Sequence, residues 1–425
     1  MEKITEKKEQ TCAKGSTQNP LWTRDFTIIT LGSVVSLIGS SIAGFALGLL
    51  VLDYTGSTFL YALYMVMYNL PKVAAPTLAG PFVDKFSRRK TIYTLDFIST
   101  ALYGAFAWLI MAGYFNYGFL IVGCLFLGTI DSIYQVAFDS FFPMLITEGN
   151  YTKAYSIQST LESMTAFMIP VSAFLYNLIG IAPLFLINML SFLIAAVMEM
   201  QISPVQEGYV KKEEESFGIA QYKKTFQEGV RYIKGEKGLL AITLYFMISM
   251  FANGASSTIV LPYFKMNFQN GEYIYIFVMG WIMVGRMIGG AIHYKFKYPT
   301  DKKYIIALCV YVIISLCDGV LLFMPVAVMM ALCFVQGILG VTSYNIRISA
   351  TQSYVPDEKK GRFNGIFQMA MTAGMLAGEF LSGVLSEFVS QRVVLGSFDF
   401  VCIIGAILII GGNKRHVEKI YNRQA

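Results

Sequence analysis

Charge is scarce in this 425-residue chain: 14% of it is Asp, Glu, Lys or Arg, against about 25% in an ordinary soluble domain. A water-exposed globule needs that charge to wet its surface, so a soluble protein is excluded. Histidine is scarcer still. The chain's two, His293 and His416, form no H-E-x-x-H pair, and no G-x-x-x-x-G-K-[ST] phosphate loop occurs. No enzyme and no cofactor are expected. Six cysteines include no C-x-x-C; Cys12 sits in a polar leader and the other five lie in apolar runs. Neither a disulfide framework nor a metal site is read from them. The leader lacks the apolar core of a signal peptide, so the first hydrophobic run is expected to stay as the first membrane span.

Hydrocarbon fills the place of charge. Hydrophobic residues make up 55% of the chain, with 33 Phe and 26 Tyr, and the mean hydropathy is +0.56. At about 20 apolar residues per crossing, the length fits roughly twelve spans. They are expected near 26–52, 58–81, 91–112, 117–142, 154–177, 181–202, 239–263, 272–296, 303–324, 326–354, 363–388 and 393–412. The fold class is therefore all-α and membrane-embedded: an N-terminal tail (1–25), a six-helix bundle (26–202), a linker (203–238), a second six-helix bundle (239–412) and a C-terminal tail (413–425). Such a 6+6 layout is the architecture of many secondary carriers.

Basic residues give an orientation. With both termini cytoplasmic, all but five of the 33 Lys and Arg fall in cytoplasmic segments. The exceptions are Lys265 and Arg392 outside, and Lys72, Arg286 and Arg347 within spans. This is the positive-inside pattern of a cytoplasmic-membrane protein. The net charge of +6 is thus a topology signal and no nucleic-acid footprint. In the linker, Ile219, Tyr222, Phe226, Val230 and Ile233 recur at three-and-four spacing, which predicts an amphipathic helix on the cytoplasmic leaflet that tethers the halves.

The sharpest motif follows the second span: Gly80-Pro-Phe-Val-Asp84-Lys85-Phe-Ser-Arg88-Arg89-Lys90. It resembles the G-x-x-x-D-[RK]-x-x-R-[RK]-[RK] loop of the major facilitator superfamily, placed between spans 2 and 3 as in that family. The resemblance implies a gating latch. Asp84 would accept hydrogen bonds from the start of span 11, Gly361 and Arg362 included, and Arg88 would pair with Asp139 at the end of span 4. The matching loop of the second half, from Gly290 through Tyr294, Lys295 and Phe296, has Tyr294 where Asp84 stands. Phe226-Gln-Glu-Gly-Val-Arg-Tyr-Ile and Thr351-Gln352-x-x-Val355-Pro356-x-x-x-x-Gly361-Arg362 resemble the branch holding enterobactin exporters and macrolide-efflux proteins. Span 5 keeps only the proline (Pro170) of the glycine-rich stretch common in antiporters, and Leu125 stands near the family's span 4 arginine.

Ionisable groups within spans need water or a partner. Here they fall in stripes: Asp131, Gln135 and Asp139; Gln158 and Glu162; Tyr61, Tyr64, Tyr68 and Lys72; Ser249, Asn253 and Ser256; Ser343, Arg347 and Thr351; and Gln368, Thr372, Met375 and Glu379. So many polar stripes predict a shared wet cavity, which in the resembled family lies between the halves. Depth counted along the helices predicts two charge pairs, Glu162–Arg286 across the halves and Lys72–Asp131 within one. Asp131, Glu162 and Glu379 are the candidate proton-coupling acids. Tyr68, Lys72, Gln135, Gln158, Asn253, Arg286 and Arg347 are the candidate substrate contacts. Asp96 and Glu199, and Asp53, Asp318, Glu387 and Asp399, are expected at span ends, where interfacial water suffices. Gly44-x-x-x-Gly48, Gly285-x-x-x-Gly289 and Gly374-x-x-x-Gly378 are expected to permit close helix contact, the latter two on interface helices that slide.

The expectation is a monomeric carrier that exports a small amphipathic compound (drug, macrolide or siderophore-like) through the lipid bilayer, driven by the proton gradient. A lysophospholipid flippase and a transport-silent receptor are the alternatives.

Overall fold

The computed structural model describes residues 20–73, 87–114, 116–147, 150–165, 167–203, 219–295 and 299–423. It is all helix, with no strand among the described residues. Before the linker run α1 (Arg24–Thr55), α2 (Thr58–Asn69), α3 (Arg88–Met111), α4 (Tyr117–Phe141), α5 (Tyr151–Thr165), α6 (Met168–Ile179) and α7 (Ile181–Glu199). Then come the linker helix α8 (Ile219–Gly235), α9 (Lys237–Asn267), α10 (Gly271–Lys295), α11 (Lys303–Val320), α12 (Val326–Tyr354), α13 (Asp357–Leu385), α14 (Gln391–Gly405) and α15 (Lys414–Tyr421).

Nine of the described helices are long and apolar enough to cross a membrane. The three remaining expected spans depart for local reasons. The second, α2, leads into residues outside the described set. The fifth is cut into α5 and α6 just before Pro170, which lacks an N–H and whose ring would clash with the carbonyl four residues earlier. The eleventh, α13, carries Lys359, Lys360, Arg362, Asn364, Gln368 and Glu379, too polar a run to register as an apolar span.

Local chemistry fixes the helix ends. The Thr23 hydroxyl accepts from the Phe26 N–H at the start of α1, and Ser57 accepts from Leu60 at the start of α2. Between them Gly56 takes φ +59°, a left-handed turn that a side chain would strain. The apolar interior divides at the linker. One cluster gathers residues from Ile233 to Tyr421, and two others draw on residues from Leu21 to Ile202 together with Leu261.

The glycine pairs act within a half. Built Cβ atoms at Gly374 and Gly378 of α13 would strike the carbonyl oxygens of Met247 and Phe251 on α9, and one at Gly254 of α9 would strike Met375 O. Gly285 and Gly337 do the same for α10 and α12. These glycines therefore lock neighbouring helices backbone to backbone, where sliding surfaces between halves were expected. Gly48 packs on Tyr61, and Gly44 faces open space.

Two segments expected at the periphery are docked. On α8, Gly229 and Ile233 are buried and Val230 is half-buried, Gly229 abuts Ile366 and Arg362 of α13, and Glu228 pairs with Arg362 at 3.2 Å. Besides the leaflet position expected of it, the helix packs on α13. Past α14, the expected free tail forms α15, whose Val417, Ile420 and Tyr421 are at most 1% exposed. The Tyr421 hydroxyl bonds that of Tyr311 at 2.8 Å, and Asn422 accepts from the Tyr304 N–H at 3.0 Å. The apolar spacing of Val417, Ile420 and Tyr421 explains the docking: an isolated tail would leave that face in water. Tyr421→Phe, which removes the buried hydroxyl pair alone, is expected to destabilise the protein by about 1 kcal/mol, read as a lower thermal midpoint in detergent.

Candidate functional site

A cavity of about 560 Å³ opens inside the N-terminal half. Its wall includes Ser36, Ser40 and Ser41 of α1, Tyr61, Tyr64 and Tyr68 of α2, Asp96 and Tyr103 of α3, and Asp131, Tyr134 and Gln135 of α4. Small hydroxyl residues on α1 leave the room, and tyrosines border it with polar tips on apolar bodies. The sequence stripes on α2 and α4 do meet here. The lining residues, however, all lie between Ser36 and Phe192, so this pocket belongs to one half, where a hollow between the halves was expected.

At one wall sits a charge pair. Lys72 Nζ lies 3.4 Å from Asp131 Oδ2. Tyr68 donates its hydroxyl to the same oxygen at 3.3 Å, and its ring centroid is 4.7 Å from the ammonium. Asp131 and Lys72 are 48% and 39% exposed, so neither is sealed within the protein. One turn along α4, Gln135 donates to Asp139 at 2.9 Å. Arg88 points its Nη1 at Met144 Sδ, 3.1 Å away. The other latch residues, Gly80 and Asp84, lie outside the described residues. Gly361 stands in open space, and Arg362 is engaged with Glu228.

Glu379, expected without a partner, is fully buried and accepts from Asn69 Nδ2 across the halves at 3.3 Å. Its second carboxylate oxygen has no partner among the described residues. Arg286 and Asn253 are exposed, and Gln158 borders a smaller cleft beside α1. The Glu162 side chain lies outside the described residues, and the pair proposed for it with it. Arg347 is wrapped by Phe367, Phe246 and Tyr344, with ring centroids 5.0, 5.2 and 5.4 Å from its guanidinium carbon.

Of the acids assigned to interfacial water, Asp96, Glu199 and Asp399 are buried instead and Asp318 is half-buried. Asp96 is 1% and Glu199 0% exposed. The two carboxyls share a hydrogen bond, Tyr134 donates to Glu199 at 3.5 Å, and Asp96 faces the cavity. In the C-terminal half Asp399 is 3% exposed, and Asp318 accepts from Ser256 at 3.4 Å and Gln336 at 3.5 Å. Counting residues from a helix end measures depth and says nothing about which face a side chain occupies. The faces did carry a signal. Asp96 shares its stripe with Ile92, Ser99, Tyr103 and Ala107, and Glu199 shares one with Asn188, Ser191 and Ala195, all buried. The other two end-of-span acids are at the surface as expected, and both are engaged.

Those two belong to a set of bonds joining the halves at the helix ends remote from α8. Lys265 pairs with Asp53 at 2.8 Å. Ser57 donates to Glu387 at 2.8 Å, Gln391 to Thr58 at 2.7 Å and Asn177 to Glu272 at 3.0 Å. The α5 end of the split fifth span contributes nothing to this set, while Asn177 of α6 does. The far ends of the halves are thereby tied.

Comparison with known proteins follows from this fold. The profile of a family described as transmembrane secretion effectors matches residues 15–421. The chain is 26% identical over 294 residues to the uncharacterized MFS-type transporter YkuC of Bacillus subtilis, spanning 64% of this chain and 66% of that protein's length, just short of two thirds. It is 24% identical over 399 residues to macrolide efflux protein A of Streptococcus pyogenes, covering 90% of this chain and 95% of that one. Among solved structures, a bacterial homologue of the iron transporter ferroportin in an inward-facing state superposes with a TM-score of 0.67 at 13% identity, over 94% of this chain and 99% of that one. At that identity the likeness is one of fold.

Proposed function

This chain belongs to the transmembrane secretion effector family, within the major facilitator superfamily of secondary transporters, and on that premise we propose that it exports a small amphipathic compound by alternating access, coupled to protons. It is a transporter and not an enzyme. The observation that carries the proposal is an ion-paired acid, Asp131 with Lys72, on the wall of a polar and aromatic cavity, in a molecule whose halves are tied at one end. In this reading the tied far ends are the closed gate, and the loop from Gly80 to Lys90 forms the opposing latch when the access side reverses. Twelve spans in two bundles, with the linker and both termini cytoplasmic, complete the arrangement. Asp131, on the cavity wall beside Lys72, is the acid to which we assign the coupling. Macrolide export by a relative supports efflux as the direction and an amphipath as the cargo.

The test is export from a host lacking its own pumps, using macrolide, siderophore and dye panels with and without a protonophore. Accumulation that is unaffected by the protein across the panel overturns the reading; export that survives the protonophore overturns proton coupling. The gate is tested separately. In a background with Cys12 and Cys309 replaced by serine, Thr58→Cys with Gln391→Cys is joined by a reductant-cleavable thiol cross-linker. Transport is expected to stop on cross-linking and to return on reduction. Unimpeded transport by the cross-linked protein would mean that this end does not open.

A further inference from the structure

Arg347 occupies α12 about two turns before that helix ends at Tyr354, within the membrane-spanning part of the C-terminal half. Among the described residues it makes no ion pair. Its neighbours are the rings of Phe246 on α9, Tyr344 on α12 and Phe367 on α13. Phe246 and Phe367 are buried, whereas Tyr344 is 56% exposed, so the cage is closed behind the guanidinium and open in front. Arg347 also interacts electrostatically with the hydroxyls of Tyr311 and Tyr421, which bond each other. An acid close by would be the ordinary way to hold a cation at this depth, and here aromatic faces take that place.

The distribution of intramembrane charge sharpens this. Lys72, the cation of the N-terminal spans, has Asp131. Arg286 is exposed on α10 and, like Arg347, has no ion pair among the described residues. The buried acid of α13, Glu379, is bonded to Asn69. The other acids of this half are also held elsewhere, Asp318 by Ser256 and Gln336 and Asp399 in the interior, so neither arginine has an acid paired with it among the described residues.

We infer that Arg347 and its three rings form a docking site for the acidic head of an amphipathic anion: a carboxylate, sulfonate or phosphate that bonds the guanidinium, joined to an aromatic or alicyclic body that lies on Tyr344. The planar guanidinium offers paired donors to such a group while its faces remain stacked on the rings. This rests on the reading of the chain as a transporter and adds the charge of its cargo; cationic amphipaths are disfavoured at the site.

The experiment is equilibrium binding to the purified full chain in lipid nanodiscs, with no ion gradient. The probes are dansylglycine and its amide, which share a body and differ by the carboxylate. The wild-type protein is expected to bind the acid about tenfold or more tightly than the amide, the worth of one charge-assisted hydrogen bond. Arg347→Gln is expected to abolish the preference. Arg347→Lys keeps the preference and weakens both probes through lost stacking. Equal affinity of the wild type for acid and amide overturns the inference without any variant. A preference that survives in well-folded Arg347→Gln protein also overturns it. Because binding is measured without flux, a protein that discriminates the acid but moves nothing would defeat the transport reading and leave this one standing.

Discussion

Replacing Gly378 by valine is expected to leave little folded protein. The position lies where α13 presses on α9, and the first carbon of any side chain would strike the carbonyl oxygen of Phe251. Gly374 meets Met247 O in the same way, and Gly254 returns the contact from α9 to Met375 O. Obstacles made of backbone cannot swing aside as a side chain can, and each is already committed to its own helix. Overpacking of this kind costs about 1–3 kcal/mol when the surroundings yield; here the helices must separate along their length. Gly378→Ala should therefore lose monodispersity on size exclusion at a markedly lower temperature than wild type, with valine worse. Gly361→Ala, in the same helix with open space before it, serves as the control and should behave as wild type. Equal thermal midpoints for the alanine proteins at 361 and 378 would refute the backbone-contact account.

The second large effect is functional and should come without a stability change. Lys72 and Asp131 are 39% and 48% exposed, and such pairs contribute only about 0–1 kcal/mol to folding. Asp131→Asn is accordingly expected to fold and to melt like wild type. Its transport should fall by roughly tenfold to a hundredfold, the size of a typical coupling free energy of about 1–3 kcal/mol. Lys72→Gln should match it. The exchange Lys72→Asp with Asp131→Lys restores the attraction with its ends reversed; partial recovery would assign the effect to the pair, and no recovery to the position of the carboxylate beside Tyr68. Transport by Asp131→Asn at the wild-type rate would remove the pair from the mechanism.

How much of this was readable from the chain follows from what each signal measures. Hydropathy measures length in hydrocarbon, so the long apolar helices were legible, as was α8, where Ile219 to Ile233 repeat at helical spacing. The meeting of Lys72 and Asp131 was legible because stripes on α2 and α4 fix both depth and face. Asp96 and Glu199 were misread as interfacial because depth was counted and face was not; the small and polar companions on their stripes, Ser99 and Ser191 among them, mark a packed interior. The docking of α15 on Tyr311 and Gly238 depends on a surface assembled from α9 and α11, which no local pattern displays. The same holds for the cavity. Its volume arises from how α1 stands off α3 and α4, whereas the glycines that close α9 onto α13 are visible as a motif but silent about their partner.

The ties at the far ends carry one further consequence. Lys265 with Asp53, Ser57 with Glu387 and Gln391 with Thr58 are contacts that water can replace one for one, and Asp53 is 46% exposed. The ion pair in that seam weakens as salt is added to the solution bathing it, while the packing of Leu261 and Tyr275 on the N-terminal half does not depend on salt. In the proposed alternating-access cycle, a seam that salt weakens would make opening of these ends depend on the ionic strength outside.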